Sequence, residues 1–440
     1  MKRYLSLLLA ASLAAAAVAD ETEAERRLAT LKYGIEGQVV ELIAALKAEK
    51  NLELKDDVLQ VLRGSANPRI RQAALEYFAA LELSDAEADA AGFVRDRDRY
   101  QESLVLASFS YLTAIRSMVA LEYAVLILQD DERRYLPAAI RMIGASGGPT
   151  HAEALLALYR SDDATAAAKQ EVLLALGKMK AAVAFELLAS VARSEDAGKV
   201  ERMYACAALG DLGDARAVPV LAGAASSSDP NVRAYAITAL KGYAEAEARA
   251  AITEGLRDSH VAPRTAAAKA AGEAAIVEAV PFLEYKVRYD PEKVVRDASI
   301  DALALIGAPE ALEFLAAFVE DTKTAAAHRA RAFAALLGVP NEAVAVRLLA
   351  VFDAAAAEKD RNFFLALARA VVAKDDPLAG RFVSRLLADR DHASRLSALV
   401  WVERNRSATH ADAVRALAAA DPVEAVRKKA AAVLEALARP

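Results

Sequence analysis

Hydrophobic side chains recur every three or four residues along most of this sequence, and short polar stretches interrupt the pattern at regular intervals. In one such segment Val232, Tyr235, Ala236 and Ala239 occupy positions i, i+3, i+4 and i+7. This spacing places apolar side chains on one face of an α-helix. The pattern therefore predicts a chain of short amphipathic helices joined by polar corners.

A basic residue opens an apolar helix at a regular interval, which indicates an internal repeat. From Lys169 to Arg427 consecutive basic positions are 31 to 34 residues apart, and Arg71 and Arg133 are separated by 62 residues. The set comprises Arg71, Arg133, Lys169, Arg202, Arg233, Arg264, Arg296, Arg329, Arg361, Arg395 and Arg427. A period of about 32 residues predicts about thirteen copies of a helix–corner–helix unit.

The residue types at the corners are typical of helix starts and helix ends. Asp229-Pro230 is one example, because aspartate accepts hydrogen bonds from the first helical turn and proline fits where no N–H is needed. Glycine is expected to end several second helices, because a helix C-terminus favours a left-handed residue. These glycines are Gly177, Gly213, Gly307 and Gly338.

Residues 214–243 resemble a HEAT repeat, and so do residues 290–318. The family pattern is a proline in the first helix, an aspartate at the corner, and then valine-arginine, alanine and leucine in the second helix. The residues that fill it here are Pro219, Asp229, Val232, Arg233, Ala236 and Leu240. The short repeats resemble the bilin-lyase-type branch, and residues 30–50 are similar to the start of exported HEAT proteins of spirochaetes. The resemblance implies an all-α solenoid of about thirteen stacked two-helix HEAT-like repeats of about 32 residues.

The resemblance also implies a ladder of arginines and aspartates along the corners. Each arginine is expected to bond to the corner aspartate of its own or an adjacent unit, which would fix the angle between units. The alternative is a basic stripe that binds anions along the inner face. The ladder residues are Asp229, Arg233, Asp290, Arg296, Arg329, Arg395 and Arg427.

No long linker interrupts the repeats, so residues 20–440 are predicted to form one elongated domain. Residues 20–66 are expected to be amino-terminal capping helices. Residues 67–134 are expected to be less regular repeats, and residues 135–440 regular ones. An apolar stretch at residues 104–128 contains charged side chains and is interpreted as two buried helices, not as a membrane span.

Residues 1–19 have the layout of a secretory signal peptide. Lys2 and Arg3 precede an uncharged apolar run, and Ala17-Val18-Ala19 is a small-x-small cleavage site. The mature chain is expected to begin at Asp20 and to lie in a bacterial periplasm, with no membrane insertion after cleavage. The alternative is an amino-terminal membrane anchor, for which the apolar run is short.

Composition disfavours several classes of function. Asp and Glu number 61 against 55 Lys and Arg, a net charge of -6, which disfavours a nucleic-acid binder. The single cysteine, Cys206, excludes an internal disulfide and is expected in the core. Five scattered histidines with no His-Glu pair give no metal centre. We expect no cofactor, no metal and no enzymatic activity, with HEAT-like lyase or hydroxylase chemistry as the alternative that the resemblance leaves open.

Two surfaces are candidates for contact with a protein partner. The first lies near the third repeat, where charges alternate and aromatic residues follow; its candidates are Arg97, Tyr100, Phe109 and Tyr111. The second is the inner face of the second helices, with Tyr204, Arg233 and Tyr235, because tyrosine and arginine are enriched at interface hot spots. The alternatives are a self-paired helix end and tyrosines that lean on the neighbouring repeat.

These observations together predict a non-catalytic periplasmic scaffold or adaptor. It would bind a protein partner through its concave face, where a preformed shape limits the cost of ordering. The first alternative is a structural component of an envelope assembly, such as periplasmic flagellar or secretion machinery. The second alternative is a HEAT-like lyase or ligand carrier.

Overall fold

The computed structural model describes residues 23–130, 133–358 and 361–438 of the 440-residue chain. Within these ranges the backbone forms 26 α-helices and no strand, which confirms the predicted all-α class. The predicted signal peptide at residues 1–19 and the predicted mature start at Asp20 lie outside the described residues.

The helices gather into two compact units, with the boundary between Leu212 and Gly213. The helices of the first unit are α1 (Glu23–Tyr33), α2 (Glu36–Glu49), α3 (Lys55–Gly64), α4 (Pro68–Ala80), α5 (Glu87–Arg95), α6 (Glu102–Ala114), α7 (Leu121–Leu128), α8 (Leu136–Ser146), α9 (Pro149–Arg160), α10 (Ala166–Lys178), α11 (Phe185–Arg193) and α12 (Lys199–Leu212).

The second unit continues the same succession of short helices. Its helices are α13 (Ala217–Ala224), α14 (Pro230–Leu240), α15 (Ala246–Gly255), α16 (Val261–Glu273), α17 (Val280–Tyr289), α18 (Lys293–Ile306), α19 (Pro309–Glu320), α20 (Ala326–Leu336), α21 (Glu342–Ala357), α22 (Asn362–Val372), α23 (Pro377–Leu387), α24 (His392–Arg404), α25 (Ala411–Ala420) and α26 (Glu424–Ala438).

Odd- and even-numbered helices have different neighbours within each unit. Every odd-numbered helix packs against the even-numbered helix that follows it, and consecutive even-numbered helices pack side by side. The even-numbered helices are therefore the second helices of the repeats predicted from the sequence. Stacking of this kind buries apolar faces that a single helix pair would leave in water.

Small residues set the spacing between neighbouring second helices. A Cβ atom on Gly177 in α10 would lie 2.6 Å from the Cα atom of Ala208 in α12. A Cβ atom on Gly272 in α16 would lie 2.7 Å from the Cα atom of Ala302 in α18. Gly177 therefore lies inside its helix and permits close packing, so the prediction that it ends the helix was wrong.

Left-handed residues end several of the second helices. Gly213 (φ 69°) and Gly307 (φ 65°) adopt this conformation as predicted, whereas Gly338 has no positive φ. At Arg116 (φ 52°) the left-handed turn separates α6 from α7, so the apolar stretch at residues 104–128 consists of two helices. Within the described ranges, no helix is both long enough and apolar enough to cross a membrane.

Cys206 and Trp401 are both core residues. Cys206 in α12 is buried, and burial raises the pKa of its thiol to about 12, so the thiol stays protonated. The Trp401 ring in α24 is also buried, and its Nε1 donates to the carbonyl oxygen of Lys374 at 2.6 Å. The placement of Cys206 agrees with the sequence-based expectation.

Candidate protein-binding surface

Arginines of the second helices hold the corners of neighbouring repeats together. Arg264 in α16 donates Nε and Nη2 to the carboxylate of Asp290 at 2.9 and 3.1 Å. Its Nη1 donates to the backbone carbonyl oxygens of Asp258 and Ser259, both at 3.0 Å. The guanidinium and the Asp290 carboxylate are buried. One side chain thus joins the corner before its own helix to the corner that follows.

The same arrangement recurs along the second unit. The further pairs are Arg233–Asp258, Arg361–Asp389 and Arg395–Asp421, with N–O distances of 2.6 to 3.0 Å. Arg233 and Arg395 also donate Nη1 to carbonyl oxygens of their own corner, as Arg264 does. The carboxylate partner lies in each pair at the corner of the following repeat.

Arg296, Arg329 and Arg427 bond to backbone instead of to a carboxylate. Each donates to carbonyl oxygens of the preceding corner or first helix, at 2.5 to 2.9 Å. Asp229 accepts hydrogen bonds from first-turn N–H groups of α14 at 2.8 and 3.3 Å and so caps that helix. These predicted ladder residues therefore bond within a repeat, whereas Arg233 and Arg395 join one repeat to the next.

The ladder carboxylates are kept in the ionised form. Burial by itself would raise the pKa of Asp290, but hydrogen bonds from Arg264 and from a backbone N–H hold that pKa below its usual value. Hydrogen bonds from Arg395 lower the pKa of Asp421 against the opposing effect of burial. Both carboxylates thus remain charged at pH values at which a free aspartate would be partly protonated.

Two aromatic residues predicted for the third-repeat surface are core residues instead. Phe109 and Tyr111 in α6 are 1% and 0% exposed, so neither can contact a partner. The Tyr111 hydroxyl donates to the carbonyl oxygen of Leu83 at 2.8 Å. The prediction was wrong for these two residues because α6 turns both aromatic side chains towards its neighbouring helices.

Arg97 and Tyr100, from the same predicted surface, bond within the fold. Arg97 Nη2 donates to the carboxylate of Asp130 at 2.8 Å. The Tyr100 ring packs edge-on against Phe93, with 4.9 Å between the ring centroids. Arg97 thus pairs with the corner after α7, and the ion pair within the charged segment itself is Arg95–Asp96 at 2.8 Å.

The tyrosines predicted on the second helices do reach the surface. Tyr235 in α14 is 38% exposed, and Tyr204 in α12 is partly exposed. Tyr204 lines a cavity of about 220 Å³ in the first unit, together with residues of α8 and α10. We call this the Tyr204 cavity; its other lining residues are Arg133, Leu136, Pro137, Asp163, Thr165, Ala167, Ala168, Gln170, Glu171 and Leu174.

The walls of the Tyr204 cavity are partly apolar and partly charged. Leu136 and Leu174 are apolar, whereas Arg133, Asp163 and Glu171 carry charge. The Glu171 carboxylate accepts a hydrogen bond from Arg141 at 3.1 Å, so its charge is compensated from the neighbouring second helix. A groove with such walls can accept an amphipathic side chain of a protein partner.

Sequence analysis missed an exposed aromatic pair on the first helix α17. Tyr285 and Tyr289 are 59% and 64% exposed, and their ring centroids are 4.9 Å apart. Their i, i+4 spacing was the available signal, because it places both rings on one helix face. Among the described residues, no group of three or more His, Cys, Asp or Glu side chains could hold a metal ion.

The stacked helix pairs and their arginine links define an all-α repeat protein, and such a fold is suited to a protein-binding scaffold. Residues 31–433 match the model of the Spirochaete HEAT repeat protein family, and the chain belongs to that family. The resemblance to HEAT repeats that the sequence indicated is thereby confirmed. A search of the curated proteins found no match.

Several solved structures are similar to this chain at low sequence identity. The complex of CpcE and CpcF of phycocyanin lyase from Nostoc sp. PCC7120 is 22% identical, with 53% of this chain and 92% of that chain covered and a TM-score of 0.33. Kap95p, in a complex with RanGDP, is 16% identical, with 94% and 60% covered and a TM-score of 0.48. Human deoxyhypusine hydroxylase is 20% identical, with 72% and 95% covered and a TM-score of 0.28.

Proposed function

We propose that this protein is a non-catalytic scaffold of the periplasm that binds a protein partner through the face formed by its second helices. The observation that carries the proposal is the Tyr204 cavity, which is bordered by three successive second helices, α8, α10 and α12. Tyrosine is enriched among the residues that carry binding energy at protein interfaces. A partner segment lying across these helices would meet a preformed surface.

The residues that hold the repeats together support the same proposal. Arg233 and Arg395 are engaged by carboxylates and carbonyl oxygens of the fold, so they are not free to act on a substrate. Cys206 is buried with a raised thiol pKa and gives no reactive thiolate. The scaffold would therefore act by shape and surface chemistry.

Photo-crosslinking tests the binding face directly. Benzoylphenylalanine placed at Tyr204 is expected to give a discrete adduct with a partner protein in the native cells. The matched control is the same group at Leu126, which is 59% exposed on the first helix α7 of the same unit. Adducts of equal yield at both positions, or none at Tyr204, would contradict the proposed face.

The proposed location rests on residues 1–19 and has its own test. Osmotic shock should release the protein with the periplasmic fraction, and mass spectrometry should find Asp20 as the first residue. A chain that retains Lys2 and Arg3 and sediments with membranes would contradict this location. Pigment or stoichiometric iron bound to the purified protein would instead support a HEAT-like lyase or hydroxylase.

A further inference from the structure

Arg133 differs from the other basic residues of the repeat. Among the described residues its guanidinium forms no hydrogen bond, ion pair or ring contact, and the enclosed Nη1 has no acceptor. By contrast, Arg71 and Lys169 lie over aromatic rings at 5.3 and 5.5 Å, and Arg202 donates to a carbonyl oxygen at 3.4 Å. A buried donor without an acceptor is costly and therefore indicates a missing partner.

The C-cap residue of the following first helix explains the missing partner. The C-cap residues of α17 and α25 are Asp290 and Asp421, and these carboxylates accept hydrogen bonds from Arg264 and Arg395. The C-cap residue of α9 is Ser161 instead, and its hydroxyl accepts a hydrogen bond from the N–H of Asp163 at 3.2 Å. The chain thus supplies a serine at the C-cap position from which Asp290 and Asp421 supply the carboxylate to Arg264 and Arg395.

We propose that the Tyr204 cavity receives a glutamate or aspartate side chain of the protein partner, and that this carboxylate pairs with Arg133. The inference rests on the proposed scaffold function and names the chemistry of the segment that docks. A cavity of about 220 Å³ has room for a side chain but not for a folded element. Leu136 and Leu174 would contact the methylene groups of that side chain.

The other charges of the cavity determine how an acidic side chain would bind. Glu171 is compensated by Arg141, so it adds little repulsion. Asp163 is exposed and lines the same cavity, so its negative charge repels the carboxylate of an incoming acidic side chain. Removing the Asp163 charge should therefore strengthen binding of an acid and weaken binding of a base.

The test uses the full chain and two small probes that differ only in charge. The first is N-acetylglutamate α-amide, whose side chain is its one carboxylate, and the second is the matching glutamine compound. The readout is the NMR signal of the Arg133 Nε–H group, assigned by its loss in Arg133→Gln. We expect a saturable shift with the glutamate probe and none with the glutamine probe.

Three variants report on the groups involved. Arg133→Gln should weaken binding of the glutamate probe, measured through other signals of the cavity, by roughly tenfold or more. Asp163→Asn should strengthen it by about two- to threefold, since an exposed like charge is removed. Ser161→Asp keeps Arg133 but supplies the carboxylate from within the chain, so it should abolish probe binding and raise the thermal unfolding midpoint.

The outcomes separate this inference from the proposed function. Binding of the glutamate probe that is unchanged in Arg133→Gln and Ser161→Asp would overturn the pairing with Arg133. A partner crosslinked at Tyr204 together with no shift by the glutamate probe would retain the scaffold and overturn the acidic side chain. A shift by the probe without any partner adduct at Tyr204 would overturn the scaffold as well as its acidic segment.

Discussion

Arg395 and Asp421 are 8% and 2% exposed, and two hydrogen bonds of 2.7 and 3.0 Å join them. Charges buried to this degree depend on each other, because neither is solvated by water. The pair joins neighbouring corners, whereas the hydrophobic core supplies most of the stability. Removing one partner should therefore reveal the free-energy cost of leaving the other charge buried and unpaired.

Arg395→Met is expected to lower the free energy of unfolding by about 3–5 kcal/mol, because Asp421 then remains buried without its cation. Adding Asp421→Asn should recover part of this loss, so the double variant should be less destabilised than the sum of the single variants. Chemical denaturation of all three proteins measures the coupling. The control is Arg415→Met, whose partner Asp412 is exposed and whose loss should cost less than about 1 kcal/mol. Strictly additive effects at Arg395 and Asp421 would contradict the pairing.

Acid should destabilise the protein through the same carboxylates. The folded-state pKa values of Asp290 and Asp421 lie below the value of about 3.9 for a free aspartate. Their contribution is therefore present above that value and is lost as the pH falls towards the folded-state pKa. Urea midpoints measured from neutral pH down to about pH 3 should decline below about pH 4–5. The urea midpoint of Asp421→Asn should decline less steeply with falling pH than that of the wild type. An equal slope for the two proteins would contradict this account.

At the scale of helices, the contact of Gly177 with Ala208 sets how closely α10 and α12 pack. Gly177→Ala should destabilise by about 1–3 kcal/mol, since the new methyl group would overlap the Cα atom of Ala208. Gly92→Ala is the matched control in α5, where no atom lies within 4 Å of the new Cβ atom. The control should be stabilised by up to about 1 kcal/mol through helix propensity, as thermal unfolding would report. Destabilisation of both variants to the same extent would contradict close packing at Gly177.

Local patterns in the sequence predicted most elements of the fold, because helix periodicity, caps and the repeated arginine are encoded within a few residues. The break at Arg116 could be predicted because a charge interrupts an apolar run. The burial of Phe109 could not be predicted, since α6 is apolar around most of its circumference, with Leu104, Val105 and Leu112 also buried. Periodicity alone does not indicate which side of such a helix faces water.

The candidate site was harder to predict than the fold for a related reason. Tyr204 was assigned to the surface from its residue type and its position in a second helix. The unpaired state of Arg133 depends on Ser161, which is encoded almost one repeat further along the chain. The regular spacing of arginines in the sequence does not show which acceptor each arginine bonds to.

At the scale of the whole molecule, each unit is a succession of contacts between adjacent helices. Stability in such arrays is close to a sum of neighbour terms, so damage should stay local. In Arg395→Met, hydrogen exchange should accelerate in α22 to α26 and remain unchanged in the first unit, as mass spectrometry of peptides would report. Uniform acceleration over both units would indicate a single cooperative structure instead.

The links between corners also affect how the number of repeats in such a chain can change. Arg233 pairs with Asp258 as Arg264 pairs with Asp290, and the donors are separated by 31 residues. If residues 234–264 were deleted, Arg233 would take the sequence position of Arg264 and find Asp290 at the corner ahead of it. Duplication of the same segment would give each copy an acceptor in the next. A gene rearrangement that removes or duplicates this 31-residue segment therefore leaves each of these arginines with a carboxylate partner, so the number of repeats could change here in evolution without loss of the bonding pattern.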